Sequence, residues 1–280
     1  MKECGKAKAI RNTIILSSLL AFAPLAQAQI VSLTDQNSVV QIDTGSSAGM
    51  FNWIVGGQDF LAQQWFWFRV GNGGPESPIN TISAPTITTP DARTLYVSYF
   101  NGSFGVDVTY RLTGFSPGSG LSHLDETVSI TNATATPLAF HLFQYSDFDL
   151  GPGGDSVTLN KNLFGQFKGA VQTNGNHSLA ESVVTPGADH GEAAIFPFTL
   201  NRLNDGLPTT LNDTTSAGPG DVTWGFEWDS WSGTNGMIDP FSSDGISKIK
   251  DLNVPEPAVA VLVPIGAAVL AWRRRNQTKQ

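Results

Sequence analysis

Apolar and polar residues alternate with a period of two through much of this chain. Phe104, Val106, Val108, Tyr110 and Leu112 alternate with Gly105, Asp107, Thr109 and Arg111, the pattern of a strand buried on one face. Leu124, Glu126, Val128 and Ile130 alternate with Asp125, Thr127 and Ser129. After the turn-rich stretch Asn132 to Pro137, Leu138, Phe140 and Leu142 alternate with Ala139 and His141, which predicts a hairpin with a long loop. Val222, Trp224, Phe226 and Trp228 predict a late strand with a largely aromatic inward face. Asp239 to Asn253 reads as a last short strand followed by a linker, which puts the end of the folded body near Lys250. No stretch of the body carries the 3.6-residue period of an amphipathic helix. Gly- and Pro-rich clusters at Gly71 to Pro78, Ser116 to Gly120, Gly151 to Gly154 and Gly218 to Gly220 separate the runs. Short strands joined by such loops predict an all-β fold. A single antiparallel β-sandwich, jelly-roll-like, over 29–250 is expected, because a parallel sheet would need crossover helices.

The two ends follow a different pattern. Lys2, Lys6, Lys8 and Arg11 precede a short apolar run from Thr13 to Leu25, and Ala26-Gln27-Ala28 is a small-x-small cleavage site. This predicts a signal peptide over 1–28 and a mature chain beginning at Gln29. At the other end, two prolines flank Glu256 in Val254-Pro255-Glu256-Pro257, which predicts an extended, exposed strip. Ala258 to Trp272 carries no charge and is short for a membrane span, which usually needs ~20 apolar residues. Arg273, Arg274 and Arg275 would hold its end on the cytoplasmic side.

Over 251–280 the order of motif, apolar run and basic cluster resembles the PEP-CTERM sorting tail of exported proteins of Gram-negative bacteria. The resemblance covers the tail alone and implies routing, not activity. It implies a transient inner-membrane anchor by a short transmembrane helix. It also implies that an exosortase-type processing enzyme, a membrane protease-transpeptidase, acts at the motif. The body would then pass to the cell surface or the extracellular matrix, with extracellular polysaccharide as a candidate partner.

Eight of the 16 basic residues lie in the leader or after Trp272, but of the 24 acidic ones only Glu3 leaves with the leader, so the body carries about −15. Such a surface repels phosphate backbones and argues against nucleic acid. The one cysteine, Cys4, lies in the leader. No disulfide, thiol nucleophile or cysteine metal site is therefore expected in the processed chain, and stability must come from core burial.

Candidate chemistry is sparse. Asp43-Thr44-Gly45 looks like the active-site turn of pepsin-type aspartic proteases, but that chemistry needs two aspartates sharing a proton, and no second such triplet occurs. A strand ending in a Gly-Ser turn accounts for it. Asp147 and Asp149 lie two apart, and Gly151-Pro152 could fold Asp155 back towards them. The three are candidate calcium ligands, although the loop does not match an EF-hand and capping of a turn is the simpler reading. No motif calls for any other cofactor. The histidines His123, His141, His177 and His190 lack metal-ligand spacing, and Asp189 to Glu192 reads as an exposed loop. No Gly-x-Ser-x-Gly elbow occurs, and no catalytic residue is assigned. Trp65 and Trp67, in the run Gln64 to Arg69, are a candidate sugar platform, expected to project to opposite faces with one in the core. The expected function is therefore a non-enzymatic structural or adhesive module at the cell surface, associated with polysaccharide. The alternative is a secreted hydrolase, glycan-active or aspartic-protease-like, whose site the sequence does not locate.

Overall fold

The computed structural model describes residues 1, 29–229 and 231–255. The expected leader from Lys2 to Ala28, and Glu256, Pro257, Arg273, Arg274 and Arg275 of the expected sorting tail, lie outside the described residues. Among the described residues no helix is long and apolar enough to cross a membrane.

The alternating runs form strands, as their period dictates. In chain order they are β1 (Ile30–Asp35), β2 (Ser38–Asp43), β3 (Gly49–Val55), β4 (Gln58–Asp59), β5 (Leu61–Val70), β6 (Ser77–Pro78), β7 (Thr86–Asp91), β8 (Thr94–Phe100) and β9 (Phe104–Gly114). They continue as β10 (Leu121–Asn132), β11 (Phe140–Phe148), β12 (Asp155–Lys161), β13 (Phe167–Asn174), β14 (His177–Thr185), β15 (His190–Ile195), β16 (Ser216–Gly220), β17 (Val222–Trp228) and β18 (Ser243–Asn253). One short helix, α1 (Phe198–Arg202), falls where no helical period is legible, because a single turn is too short to show one.

The strands make two nine-stranded sheets. The first runs β1-β2-β3-β5-β11-β17-β15, with β4 on β3 and β6 on β5; the second runs β16-β12-β13-β14-β18-β10-β9-β8-β7. Pairing is antiparallel except between β3 and β5. There Gly49 takes φ 59°, and a Cβ on it would lie 2.3 Å from the Trp65 ring, so glycine is required for the strands to meet. The all-β sandwich is as expected, but its sheets are larger than those of an eight-stranded jelly roll.

Two expected connections are different in the structure. The strands of the predicted hairpin separate: β10 pairs with β9 and β18 in the second sheet, whereas β11 lies between β5 and β17 in the first. Alternation shows that both are half-buried strands but carries nothing about their partners. The expected linker after Lys250 is also strand. β18 runs to Asn253 at the centre of the second sheet, and Val254 is buried, its N–H donating to the Gly120 carbonyl at 2.8 Å. The start of the expected exposed strip is thus packed against the sandwich.

The facing sheets enclose an aromatic core. Phe68 meets Phe104 across it at 5.5 Å between ring centroids, and Phe148 stacks on Trp224 at 5.5 Å. At its middle sits a polar cluster. Glu126, Glu181, Lys248 and Lys250 project inward from the second sheet, all with side chains 0–2% exposed, and Gln64 and Gln144 project from the first. Lys250 Nζ donates to Glu126 Oε2 at 2.6 Å and lies 3.4 Å from Glu181 Oε1; Gln64 Nε2 donates to Glu126 Oε1 at 2.8 Å. Trp224 Nε1 donates to Glu181 Oε2 at 3.0 Å. Two cations and two anions therefore neutralise one another with most of their hydrogen-bonding capacity used, the condition on which buried charge is tolerated.

Burial pushes the Glu126 carboxyl up, but the ammoniums of Lys248 and Lys250 and the hydrogen bonds from Lys250 and Gln64 outweigh it and hold it down at about 2. A carboxylate held below its unfolded value contributes stability that is present above pH ~4.5 and is lost as pH falls towards ~2. Urea unfolding between pH 6 and pH 3 is expected to show this loss. Glu126→Gln is expected to flatten it and to cost ~3–5 kcal/mol at neutral pH by leaving a buried ammonium uncompensated. A variant as stable as the parent would contradict the pairing.

Candidate functional site

The outer face of the first sheet carries a second set of polar groups. Register places Trp67, Phe143, Glu227 and His190 side by side across β5, β11, β17 and β15, with Arg69 and His141 paired in a neighbouring row. The residues from Phe196 to Thr215, including α1, lie across this face. Thr199 Oγ1 and Arg202 donate to the two oxygens of Glu192 at 2.6 and 2.5 Å. Asn204 accepts from Trp67 Nε1 at 3.2 Å, the Thr209 carbonyl accepts from Arg69 at 2.7 Å, and Leu211 N–H donates to Glu227 Oε2 at 2.7 Å. Arg69 also pairs with Glu76. Arg69, Glu192 and Glu227 are thereby sealed under a strap rather than left to solvent.

At the rim of the strap, His141 Nδ1 lies 2.5 Å from Asp229 Oδ1, and His190 Nε2 lies 4.0 Å from Asp229 Oδ2. Burial pushes the Glu227 carboxyl up to about 9, and the neighbouring Asp229 carboxylate adds to the effect. Glu227 Oε1 has no hydrogen-bond partner. His141, Glu227 and Asp229 bring one ligand atom each to within 4.8 Å of one another, the one such group among the described residues. One nitrogen and two oxygens suit a divalent transition metal such as zinc. No spacing along the chain marks this group, since His141 and Asp229 are 88 positions apart. The available signal was the acid pair formed by Glu227, on the non-aromatic side of β17, and Asp229 just after the strand. The expected exposed loop at Asp189 to Glu192 is instead largely β15, with Glu192 fully buried.

Beyond the other end of the strap lies an open pocket of about 650 Å³. Gln63, Asp147, Asp149 and Asp221 supply its polar wall, and Phe196 and Leu200 its apolar one. Burial raises the Asp147 carboxyl, Asp221 raises it further, and a hydrogen bond from Tyr145 opposes them; the outcome is about 6. Asp147 thus takes up a proton at a higher pH than an ordinary aspartate, beside other carboxylates.

The candidate calcium ligands all line this pocket, but their oxygens do not gather as those of the histidine cluster do. Asp155 is already occupied: Oδ2 accepts from Leu150 N–H at 2.9 Å and from Gln172, and Oδ1 from Asn174 at 2.6 Å. Asp149 Oδ1 accepts from Gly151 N–H at 3.1 Å. Both carboxylates cap the turn. In the same way Asp43 accepts from Gly45 N–H at 3.0 Å and Ser46 Oγ at 2.6 Å, the Gly-Ser turn expected there.

The tryptophan platform requires correction. Residues two apart on a strand share a face, so Trp65 and Trp67 do not project to opposite sides. Both are fully buried. Trp65 packs against Tyr99 and donates to Asn80 at 3.2 Å, and Trp67 packs edge-on against Tyr145 beneath the strap. Neither ring presents a face to solvent. Trp65→Ala and Trp67→Ala are each expected to cost ~3–5 kcal/mol in urea unfolding; an unchanged midpoint for either would contradict its burial.

No protein-family model and no curated protein matches the chain. Solved structures do, at the level of fold. A bacterial glucoamylase in complex with acarbose superposes with a TM-score of 0.52 at 10% identity, covering 87% of this chain. The chain spans 36% of that glucoamylase's length. A galactose mutarotase-like protein from Lactobacillus casei superposes with a TM-score of 0.52 at 8% identity, covering 80% of this chain and 100% of its own. The Slr1438 protein of Synechocystis gives 0.50 at 11% identity, covering 85% and 100%. At these identities the likeness is one of fold.

Proposed function

We propose that this chain is a carbohydrate-associated module, exported and displayed at the cell surface or in the extracellular matrix, and that its pocket takes a sugar unit. The observation that carries this reading is the pocket at the end of the strap. Its volume of about 650 Å³ lies in the range of small-molecule sites, roughly 300–1,000 Å³. Its wall pairs carboxylates, which accept hydrogen bonds from hydroxyl groups, with the exposed ring of Phe196, on which the apolar face of a sugar ring can lie. The likeness in fold to a glucoamylase and a galactose mutarotase-like protein supports a sugar in preference to another polyol. Glycan-array binding by the purified protein, followed by titration of the best ligand, tests it. Asp147→Asn replaces a charged acceptor worth ~1.5–3 kcal/mol, so affinity is expected to fall about tenfold or more. Binding unchanged in this variant would move the site elsewhere.

The second reading, a glycan-active hydrolase, is favoured by one observation. Asp147, held near 6 beside Asp221, is a carboxyl able to donate a proton next to one able to accept it, the division of labour that glycoside hydrolysis needs. Release of reducing sugar from the bound glycan, abolished in Asp147→Asn, would establish this reading; binding without release supports the module.

Routing rests on the tail. An exosortase-type enzyme would act at Val254 to Pro257 while Ala258 to Trp272 resides in the inner membrane and Arg273 to Arg275 stay on its cytoplasmic side. The processed body would then meet extracellular polysaccharide. Replacing Pro255, Glu256 and Pro257 by alanine is expected to leave a full-length, membrane-bound protein in the native host. Normal surface delivery of that variant would contradict the routing.

A further inference from the structure

The polar cluster between the sheets holds a nucleophile, an electrophile and a proton carrier in contact. Lys248 Nζ donates to the side-chain carbonyl oxygen of Gln144, which sets the amine beside the amide carbon that bears it. The Gln144 amide nitrogen donates to both oxygens of Glu181, each at 2.8 Å, and Glu181 Oε1 lies 3.7 Å from Lys248 Nζ. One carboxylate therefore reaches both the attacking and the leaving nitrogen. All three side chains are buried, and the rings of Phe66 and Trp228 lie 4.6 and 5.9 Å from Nζ. Burial pushes the Lys248 ammonium down, Glu126 opposes this and Lys250 adds to it; the result is about 8, so that an appreciable fraction of the amine is free of its proton near neutrality.

The geometry points to an intramolecular isopeptide bond between Lys248 Nζ and Gln144 Cδ, formed inside the folded sandwich with Glu181 as the acid-base group, joining β18 of the second sheet to β11 of the first.

The step balances without any co-reactant. Lys248 passes one proton to Glu181 and attacks Gln144 Cδ. The Nζ–Cδ bond forms and the Cδ–Nε2 bond breaks, its electron pair leaving with Nε2. A second Nζ proton, relayed by Glu181, reaches the leaving nitrogen, which departs as ammonia. The first proton stays on Glu181. A buried ammonium and a buried carboxylate are thus replaced by a neutral amide and a neutral carboxyl group, which lowers the desolvation cost of the cluster. Lys250 keeps its pairing with Glu126 at 2.6 Å and is the cation that remains. Fixed contact supplies the effective concentration that the reaction lacks in solution, and the exclusion of water protects the Gln144 amide from hydrolysis.

The bond would close a loop spanning 104 positions. Like a disulfide, it would stabilise by restricting the unfolded chain. After Gln29 the sequence contains no cysteine, so no disulfide can serve that role there.

Mass spectrometry of the purified full-length chain tests the inference. The intact mass is expected to be lower by one ammonia than the sequence requires, and a peptide map is expected to contain one branched peptide joining the segments that carry Gln144 and Lys248. Cyclisation of an N-terminal Gln29 would also release ammonia, and the map tells the two apart by position. Glu181→Gln and Lys248→Met are expected to give unlinked peptides. Recovery of Gln144 and Lys248 in separate, unmodified peptides from folded wild-type protein would overturn the bond, whether or not either variant folds. A folded Glu181→Gln chain linked as completely as the parent would overturn the assignment of Glu181.

Discussion

Two lysines and two glutamates placed between the sheets constrain everything else in this sandwich. Charge inside an aromatic core is tolerated only when each group is paired and hydrogen-bonded, and here the partners come from different strands: Glu126 from β10, Glu181 from β14, Lys248 and Lys250 from β18. Gln64 and Gln144 bring the first sheet into the same cluster through Glu126 and Glu181. A slip of one residue in β18 would turn both lysines outward and leave two carboxylates buried without cations. The cluster therefore fixes register within the second sheet and the placement of one sheet on the other, which an apolar core of interchangeable rings would leave less determined.

The outer face of the first sheet is settled by a different device. A strap from Phe196 to Thr215 covers Arg69, Glu192 and Glu227 and makes hydrogen bonds to each of them. What stays open lies beside it: His141 and Asp229 at the rim, above the buried Glu227, and the pocket bounded by Asp147, Asp221 and Phe196. The tryptophans of this body serve the core, and the open pocket is lined instead by aspartates and Phe196.

The sequence was most readable where one face of a strand is uniformly apolar. β9 follows its alternation, and the aromatic inward face of β17 lies where its pattern puts it, although the other face of β17 is buried as well, beneath the strap. The central strand β18 was the least readable, because Ile246, Lys248, Lys250 and Leu252 share its inward face and lysine at two of four positions resembles a solvated linker. Their partners, Glu126 and Glu181, lie in strands whose pairing alternation cannot assign. The pocket was half readable: Asp147 and Asp149 stood out as an acidic pair, but Asp221 and Phe196 join them only through the first sheet's strand order and the course of the strap. The histidine cluster gave no local signal beyond the acids Glu227 and Asp229, since His141 reaches them from another strand, β11.

Amide hydrogen exchange over Ser243–Asn253 tests the central claim most directly, because the buried charges hold β18 between β10 and β14 on both sides. A central strand exchanges only through global unfolding, so amides from Ile246 to Leu252 are predicted to be among the slowest in the protein. Exchange of this segment within the time of unprotected loops would show it to be a peripheral linker and would contradict the account.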